Sequence, residues 1–128
     1  MTLAEAIAAT NELTGQVYAQ STMIRWLSEL DGQIAFEVYH ADAWTPYTAD
    51  DLNDELLVPY PYDKMYVHHL EAMVYYSDGE YDRYTNASTM FNEKLGEFKR
   101  FIQRTLDCRG QITFAQTNGV SIFSERGF

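Results

Sequence analysis

The chain has 128 residues, of which 46% are hydrophobic and 15% aromatic, so one domain with a substantial core is expected. Its formal net charge of −10 comes wholly from residues 1–63, which carry eleven acidic side chains against one arginine. This half has no basic stripe to neutralise phosphates, which argues against sequence-specific DNA binding. We expect the acidic half to keep the protein soluble, to repel DNA or to meet a basic partner.

No apolar run is long enough to cross a bilayer, and the opening sequence MTLAEAIAATNEL lacks the basic start and apolar centre of a signal peptide. We therefore expect a soluble protein that is intracellular at synthesis and has no membrane partner. The single cysteine, Cys108, has no second thiol for an internal disulfide or a zinc site.

The first predicted helix is short. Thr2 followed three residues later by Glu5 is a capping-box pattern, and good helix formers continue until Gly15. This pattern predicts a helix that ends at the glycine.

A second helix is predicted to start at a cap on Ser21 or Thr22, and its apolar residues recur at spacings of three and four. They are Met23, Leu27, Leu30, Ile34 and Val38, with Ile24 and Trp26 widening the apolar face. Gly32 inside this helix costs roughly 1 kcal/mol relative to alanine, so we expect it to mark a bend or a close helix crossing.

A long irregular loop is predicted over about residues 40–61, which hold all three prolines and the acidic run ADDLNDE. Connections of this length in compact domains are usually functional or docked, so the loop is a candidate contact surface. Its apolar residues near Leu52 and Leu56 predict that part of it packs down, with a short turn of helix there.

An antiparallel helix hairpin is predicted over about residues 62–105. Its first helix, the third of the chain, is expected from about Tyr62 to Ser77, with Pro61 at the first helical position and Gly79 in a left-handed cap. The fourth helix has alternating spacings of three and four through Tyr81, Tyr84, Ser88, Phe91, Leu95, Phe98 and Ile102. A turn as short as SDGE predicts that the two helices are antiparallel neighbours.

The end of the chain has a different pattern, since GQITFAQTNGVSIFSERGF alternates apolar and polar residues around a TNG turn signal. We predict a C-terminal extended or β-hairpin arm over residues 107–128, after a helical domain over residues 1–106. A lone hairpin is marginal in water, so this arm needs a partner surface. The predicted fold is therefore mainly α, with about four helices and this arm.

Chemical sites are weakly indicated. His68 and His69 are neighbours in a predicted helix and project about 100° apart, so they cannot share one metal as a pair four residues apart does. Glu71 shares a face with His68, and His40 borders the long loop; a metal-dependent hydrolase using these three is the weakest hypothesis. The sequence has no Gly-x-Ser-x-Gly serine and no glycine-rich phosphate loop. We predict no catalysis, no metal and no cofactor.

Seven of the ten tyrosines lie between residues 60 and 84. Tyr66, Tyr81 and Tyr84 are predicted to pack between helices, and the others to present amphipathic surface to another protein. The core candidates are Trp26, Leu27, Leu30, Ile34, Tyr66, Leu70, Tyr84, Phe91, Leu95, Phe98 and Ile102. The interface candidates are Trp44, Tyr47, Leu52, Tyr60, Tyr62, Ile112, Phe114, Val120, Ile122 and Phe123.

Two segments, IRWLSELDGQI and ELLVPYPYDKMYVHHLEAMVYYSDGEYDRYTNASTMFNEKLGEF, resemble small structural proteins of the head-to-tail module of tailed bacteriophages and prophages. The shared elements are a Trp-Leu-x-x-Leu-Asp-Gly helix (26–32), a Leu-Leu-x-Pro-x-Pro-Tyr-Asp lead into a helix hairpin (56–63), an Asp-Gly-Glu turn (78–80) and a tyrosine-rich second arm (81–91). The resemblance covers about residues 20–104, and its motifs are structural.

The resemblance implies a head-tail connector, also called an adaptor or head-completion protein. Such a subunit assembles as a homo-oligomeric ring beneath the portal, twelvefold if it matches the portal, and bridges it to the tail around a channel through which DNA passes. Its location is the virion neck, and the host cytoplasm during assembly. A second hypothesis, from the charge alone, is a small acidic regulatory or inhibitor protein that binds a basic partner.

Overall fold

The computed structural model describes residues 1–15 and 18–109, the last four of them by main chain alone. Its helices are α1 (Leu3–Thr14), α2 (Gln20–Glu37), α3 (Lys64–Ser77) and α4 (Tyr81–Arg109), with one 3-10 turn at Ala49–Asp51. The described residues are thus mainly helical, as predicted, and they contain no strand beyond an isolated bridge between Thr2 and Glu55. The predicted arm lies outside them, except that residues 107–109 belong to α4.

The helix ends follow the sequence signals in part. Both bonds of the capping box form between Thr2 and Glu5, and Gly15 and Gly79 take left-handed φ values of 70° and 77°. The predicted cap of α2 was wrong, because that helix begins at Gln20 without a side-chain cap. The predicted start of α3 was early: residues 60–63 form turns, so the first helical residue is Lys64.

The helices pack around α3. Helices α3 and α4 form the predicted antiparallel hairpin, and α1 and α2 pack on α3 from the other side. The core is closed by loop residues 56–58 and by Phe98 and Ile102 from the later part of α4. None of the helices in the described residues has the length and apolarity of a membrane span.

The structure places the core candidates in two groups. Eight are buried: Trp26, Leu27, Leu30, Ile34, Tyr66, Leu70, Phe98 and Ile102. Tyr84, Phe91 and Leu95 are only half-buried. The reason is the position of α4, which packs mainly along α3 and so has its apolar stripe covered by one helix.

The loop between α2 and α3 is docked on the start of α1. The Leu52 carbonyl accepts a hydrogen bond from the Ala4 N–H at 2.9 Å, and the Asp54 carbonyl accepts one from the Leu3 N–H at 3.3 Å. The first N–H groups of a helix have no partner within the helix, so the loop satisfies donors that would otherwise need water. The predicted packing-down of the loop and its short helical turn are therefore both present.

Candidate functional site

Asp31 is a carboxylate on the core side of α2, and its side chain is fully buried. Its Oδ2 accepts hydrogen bonds from the Tyr47 hydroxyl at 2.5 Å and from the Leu57 N–H at 3.1 Å. Its Oδ1 accepts a hydrogen bond from the Tyr66 hydroxyl at 2.6 Å. One side chain of α2 thus holds both ends of the long loop and the first turn of α3.

Further hydrogen bonds extend this Asp31 network. The Tyr66 hydroxyl accepts from the Val58 N–H at 2.8 Å, and the Tyr39 hydroxyl donates to the Leu57 carbonyl at 3.0 Å. At the other end of the loop, the Tyr47 N–H donates to Ser28 Oγ at 2.7 Å. The irregular chain is therefore held by side chains of α2 and α3 and by Tyr39 just after α2, and these replace the main-chain partners that a strand would have.

Burial raises the pKa of Asp31 from 3.8 to about 6, although the three hydrogen bonds that it accepts favour the charged form. The same burial, with the nearby carboxylate, raises the pKa of the Tyr47 and Tyr66 hydroxyls above the ordinary tyrosine value. Both tyrosines consequently stay protonated and act as donors. The Asp31 and Tyr66 side chains are sealed from solvent, so the role of the network is to tie segments together.

The pH dependence of stability should show the raised pKa of Asp31. Between the unfolded value near 3.8 and about 6, the folded chain binds more protons, so its stability falls as pH rises through this range. Asp31→Asn cannot titrate. When the pH is lowered from about 7 to about 5, we expect the free energy of unfolding of the wild type to rise by about 1 kcal/mol relative to that of Asp31→Asn. Urea unfolding of both proteins at each pH measures the difference, and a flat or opposite trend would contradict it.

Beside the Asp31 network, α2 borders a solvent-open groove of about 570 Å³, here called the α2 groove. Its floor is made by Ile24, Ser28 and Gly32, and its other wall by Trp44 and loop residues 46–49. Ile24 and Ser28 are themselves buried, and Tyr47, whose hydroxyl binds Asp31, also lines the groove, so the groove adjoins the edge of the core. The Arg25 and Glu29 side chains at its edge pair with each other at 3.7 Å.

Gly32 is the point of closest approach in the α2 groove. A Cβ at this position would lie 3.2 Å from Cε3 and 3.3 Å from Cζ3 of the Trp44 indole. The expected close helix crossing was wrong, because the group that approaches Gly32 is a loop side chain; α2 continues through the glycine. The glycine lets the indole lie against the helix backbone.

Gly32→Leu should displace the Trp44 indole and cost about 1 kcal/mol net, because overpacking outweighs the better helix propensity. Since Trp26 is the only other tryptophan and is buried, a red shift in the emission spectrum reports on Trp44. The matched control is Gly96→Leu on α4, where an added Cβ meets only the flexible end of Arg100 at 3.3 Å. Equal spectra for the two variants would contradict the placement.

The interface candidates are not equally presented. Trp44, Tyr47, Leu52 and Tyr62 are half-buried and pack against the core. Tyr62 lies between Phe98 and Phe101, whereas Tyr60 is 84% exposed. Ile112, Phe114, Val120, Ile122 and Phe123 lie outside the described residues. The loop therefore serves as a wall of the α2 groove more than as a free contact surface.

An exposed tyrosine cluster lies at the turn between α3 and α4. The Tyr76 ring is 5.8 Å from that of Tyr81 and 5.2 Å from that of Tyr84. The predicted burial of Tyr81 was wrong: as the first residue of α4 it lies beyond the packed part of the hairpin and is 61% exposed. Tyr75, predicted to face outward, is buried against Ala72 and Ala87, whose small side chains leave room for its ring.

The two histidines have separate surroundings. His68 Nδ1 lies 3.1 Å from Glu71 Oε1, on the shared face that the spacing predicted. The His69 ring lies 5.3 Å from the Phe91 ring, tilted by 45°. Burial lowers the pKa of His69 to about 4, although a hydrogen bond with the Trp26 main chain acts in the opposite direction. Among the described side chains, those of residues 1–15 and 18–105, no three of the His, Cys, Asp and Glu types are grouped so as to hold a metal.

Fewer acidic side chains lie at the surface than the eleven that residues 1–63 contain. Asp31 is buried in its network, and Asp63 is buried beside the Met1 amino group, 3.3 Å away. The other nine acidic side chains of residues 1–63 are exposed or half-buried, on α1, α2 and the loop. This surface has one arginine, Arg25, and is strongly negative.

Comparisons with protein families, with curated proteins and with solved structures find no match to this chain. The grounds for its function are therefore the geometry of these surfaces and the resemblance in the sequence motifs.

Proposed function

We propose that this protein is a structural subunit of a phage virion neck, a head-tail connector that assembles as a ring beneath the portal and bridges it to the tail around the DNA channel. Its partners are then the portal and the other neck or tail proteins, with DNA as passing cargo.

The observation that carries the proposal is the Asp31 network. The motifs behind the resemblance, residues 26–32 and 56–63 and the hairpin that follows, lie far apart in sequence. Asp31 of the first motif binds the Leu57 N–H of the second and the Tyr66 hydroxyl of α3. The resembling residues therefore form one structural unit, as expected of motifs that preserve an architecture and carry no chemistry.

The charge distribution also supports a conduit. Nine acidic side chains lie at the surface of the first half of the chain, against a single arginine. Such a surface repels phosphates and lets DNA slide past without sticking. The same surface would suit the alternative, a regulatory protein bound to a basic partner, so the test has to separate the two.

The test mixes the purified protein with the portal encoded beside it and measures the products by mass photometry and negative-stain microscopy. We expect an oligomeric ring or a decorated portal. The variant lacking residues 110–128 should keep its far-UV circular dichroism and lose assembly. A monomer that ignores the portal under all conditions would contradict the proposal, and a one-to-one complex with a basic protein would favour the alternative.

A further inference from the structure

The α2 groove has no occupant among the described residues. It is walled by Trp44, Pro46 and Tyr47 and floored by Ile24 and Gly32, so its lining is mainly apolar. We propose that the α2 groove of one copy receives residues 110–128 of a second copy, and that this contact joins neighbouring subunits. The inference rests on the proposed ring, and it names the two surfaces that meet there.

The composition of residues 110–128 suits this groove. Ile112 and Phe114, and then Val120 and Ile122, alternate with polar residues, the pattern of a segment with one apolar face. The segment has one acidic and one basic side chain, so it is neutral. The charged groups at the groove edge, Arg25 and Glu29, pair with each other, so neither surface repels the other electrostatically.

The position at which the chain leaves the described domain favours a second copy. Phe98 of α4 contacts Tyr39, just past the carboxyl end of α2. The main chain of α4 continues to Arg109, about 10 Å beyond Ile102, the last core residue among its described side chains. The α2 groove begins at the other end of α2, at Gln20.

Residues 110–128 could span about 60 Å if fully extended, enough to reach an adjacent molecule. To enter its own groove the segment would have to reverse direction, because α4 runs out past the end of α2 that is opposite to Gln20. Donor and acceptor surfaces at different places on one subunit make a head-to-tail contact, the kind that closes into a ring.

Disulfide trapping between full-length chains tests the contact. In a Cys108→Ser background, one chain carries Ala49→Cys at the exposed edge of the groove and a second, differently tagged chain carries Ser121→Cys. After mild oxidation, alone and with the portal, we expect a cross-linked pair with one copy of each chain. Ser77→Cys, also exposed but at the end of α3, replaces Ala49→Cys as the control and should give roughly tenfold less product, because a disulfide requires close Cα atoms.

A second variant ties the product to the groove. Gly32→Leu, added to the Ala49→Cys chain, displaces the Trp44 wall and should lower the yield roughly fivefold. The proposal is overturned if Ser77→Cys gives the same yield as Ala49→Cys, or if no product forms with or without the portal. It is also overturned if a single chain carrying both Ala49→Cys and Ser121→Cys forms only an internal disulfide. A cross-link without portal binding would contradict the proposed connector function and leave the groove contact standing. Portal decoration without a cross-link would contradict the groove contact and leave the connector function standing.

Discussion

Asp31→Ala is expected to lower the free energy of unfolding by about 3 kcal/mol. The change removes the acceptor of three donors, and two of them, the Tyr66 hydroxyl and the Leu57 N–H, are buried. A buried donor left without a partner costs roughly 1 to 3 kcal/mol, and the relief of a buried charge offsets part of the total. Urea denaturation followed by far-UV circular dichroism measures the loss.

The matched control for Asp31→Ala is Asp50→Ala, the same chemical change on the exposed 3-10 turn of the loop, which should stay within about 0.5 kcal/mol of the wild type. A double-mutant cycle with Tyr66→Phe should give a coupling of at least about 1 kcal/mol. If Asp31→Ala and Asp50→Ala have the same free energy of unfolding, the network does not hold the loop.

Phe98→Ala is expected to cost about 3 to 5 kcal/mol, the range for emptying the site of a large buried aromatic side chain. The Phe98 side chain is fully buried, with the Tyr39 and Tyr62 rings 6.1 and 5.9 Å away. It joins α4 to the end of α2 and to the lead into α3. Thermal and urea unfolding measure the effect.

Two phenylalanines provide a graded comparison for Phe98→Ala. Phe91→Ala, at a half-buried site on the same helix, should cost less, and Phe36→Ala, at a side chain 49% exposed, should cost below about 1 kcal/mol. A loss for Phe91→Ala equal to or larger than that for Phe98→Ala would mean that α4 packs more evenly than the structure describes.

The helices were predictable because their signals are local. The capping box at Thr2, the left-handed Gly79 and the periodicity of α4 act within a few residues of the structure that they specify. The starts of α2 and α3 were less predictable, since α2 begins without a side-chain cap and turns precede α3.

The long loop could not be placed from the sequence, because its partners are distant side chains and not neighbours. Asp31 was counted with the acidic surface, although it lies four residues after Leu27 and three before Ile34, on the apolar face of α2. The available signal was a carboxylate within the apolar stripe of α2. Such a carboxylate can be buried only if hydrogen-bond donors from elsewhere in the chain reach it. Likewise, nothing local to Gly32 indicates that Trp44, twelve residues later, lies against it.

The hydrogen bonds that hold the end of the loop have a consequence for hydrogen exchange. The amides of Leu57 and Val58 belong to no helix or strand, and both donate to side-chain oxygens, those of Asp31 and Tyr66. For these amides to exchange with solvent deuterium, their hydrogen bonds to Asp31 and Tyr66 must break, which means opening the core between α2 and α3. An irregular segment should therefore be protected as strongly as the helices that it joins, and these two amides would report on opening of the whole domain.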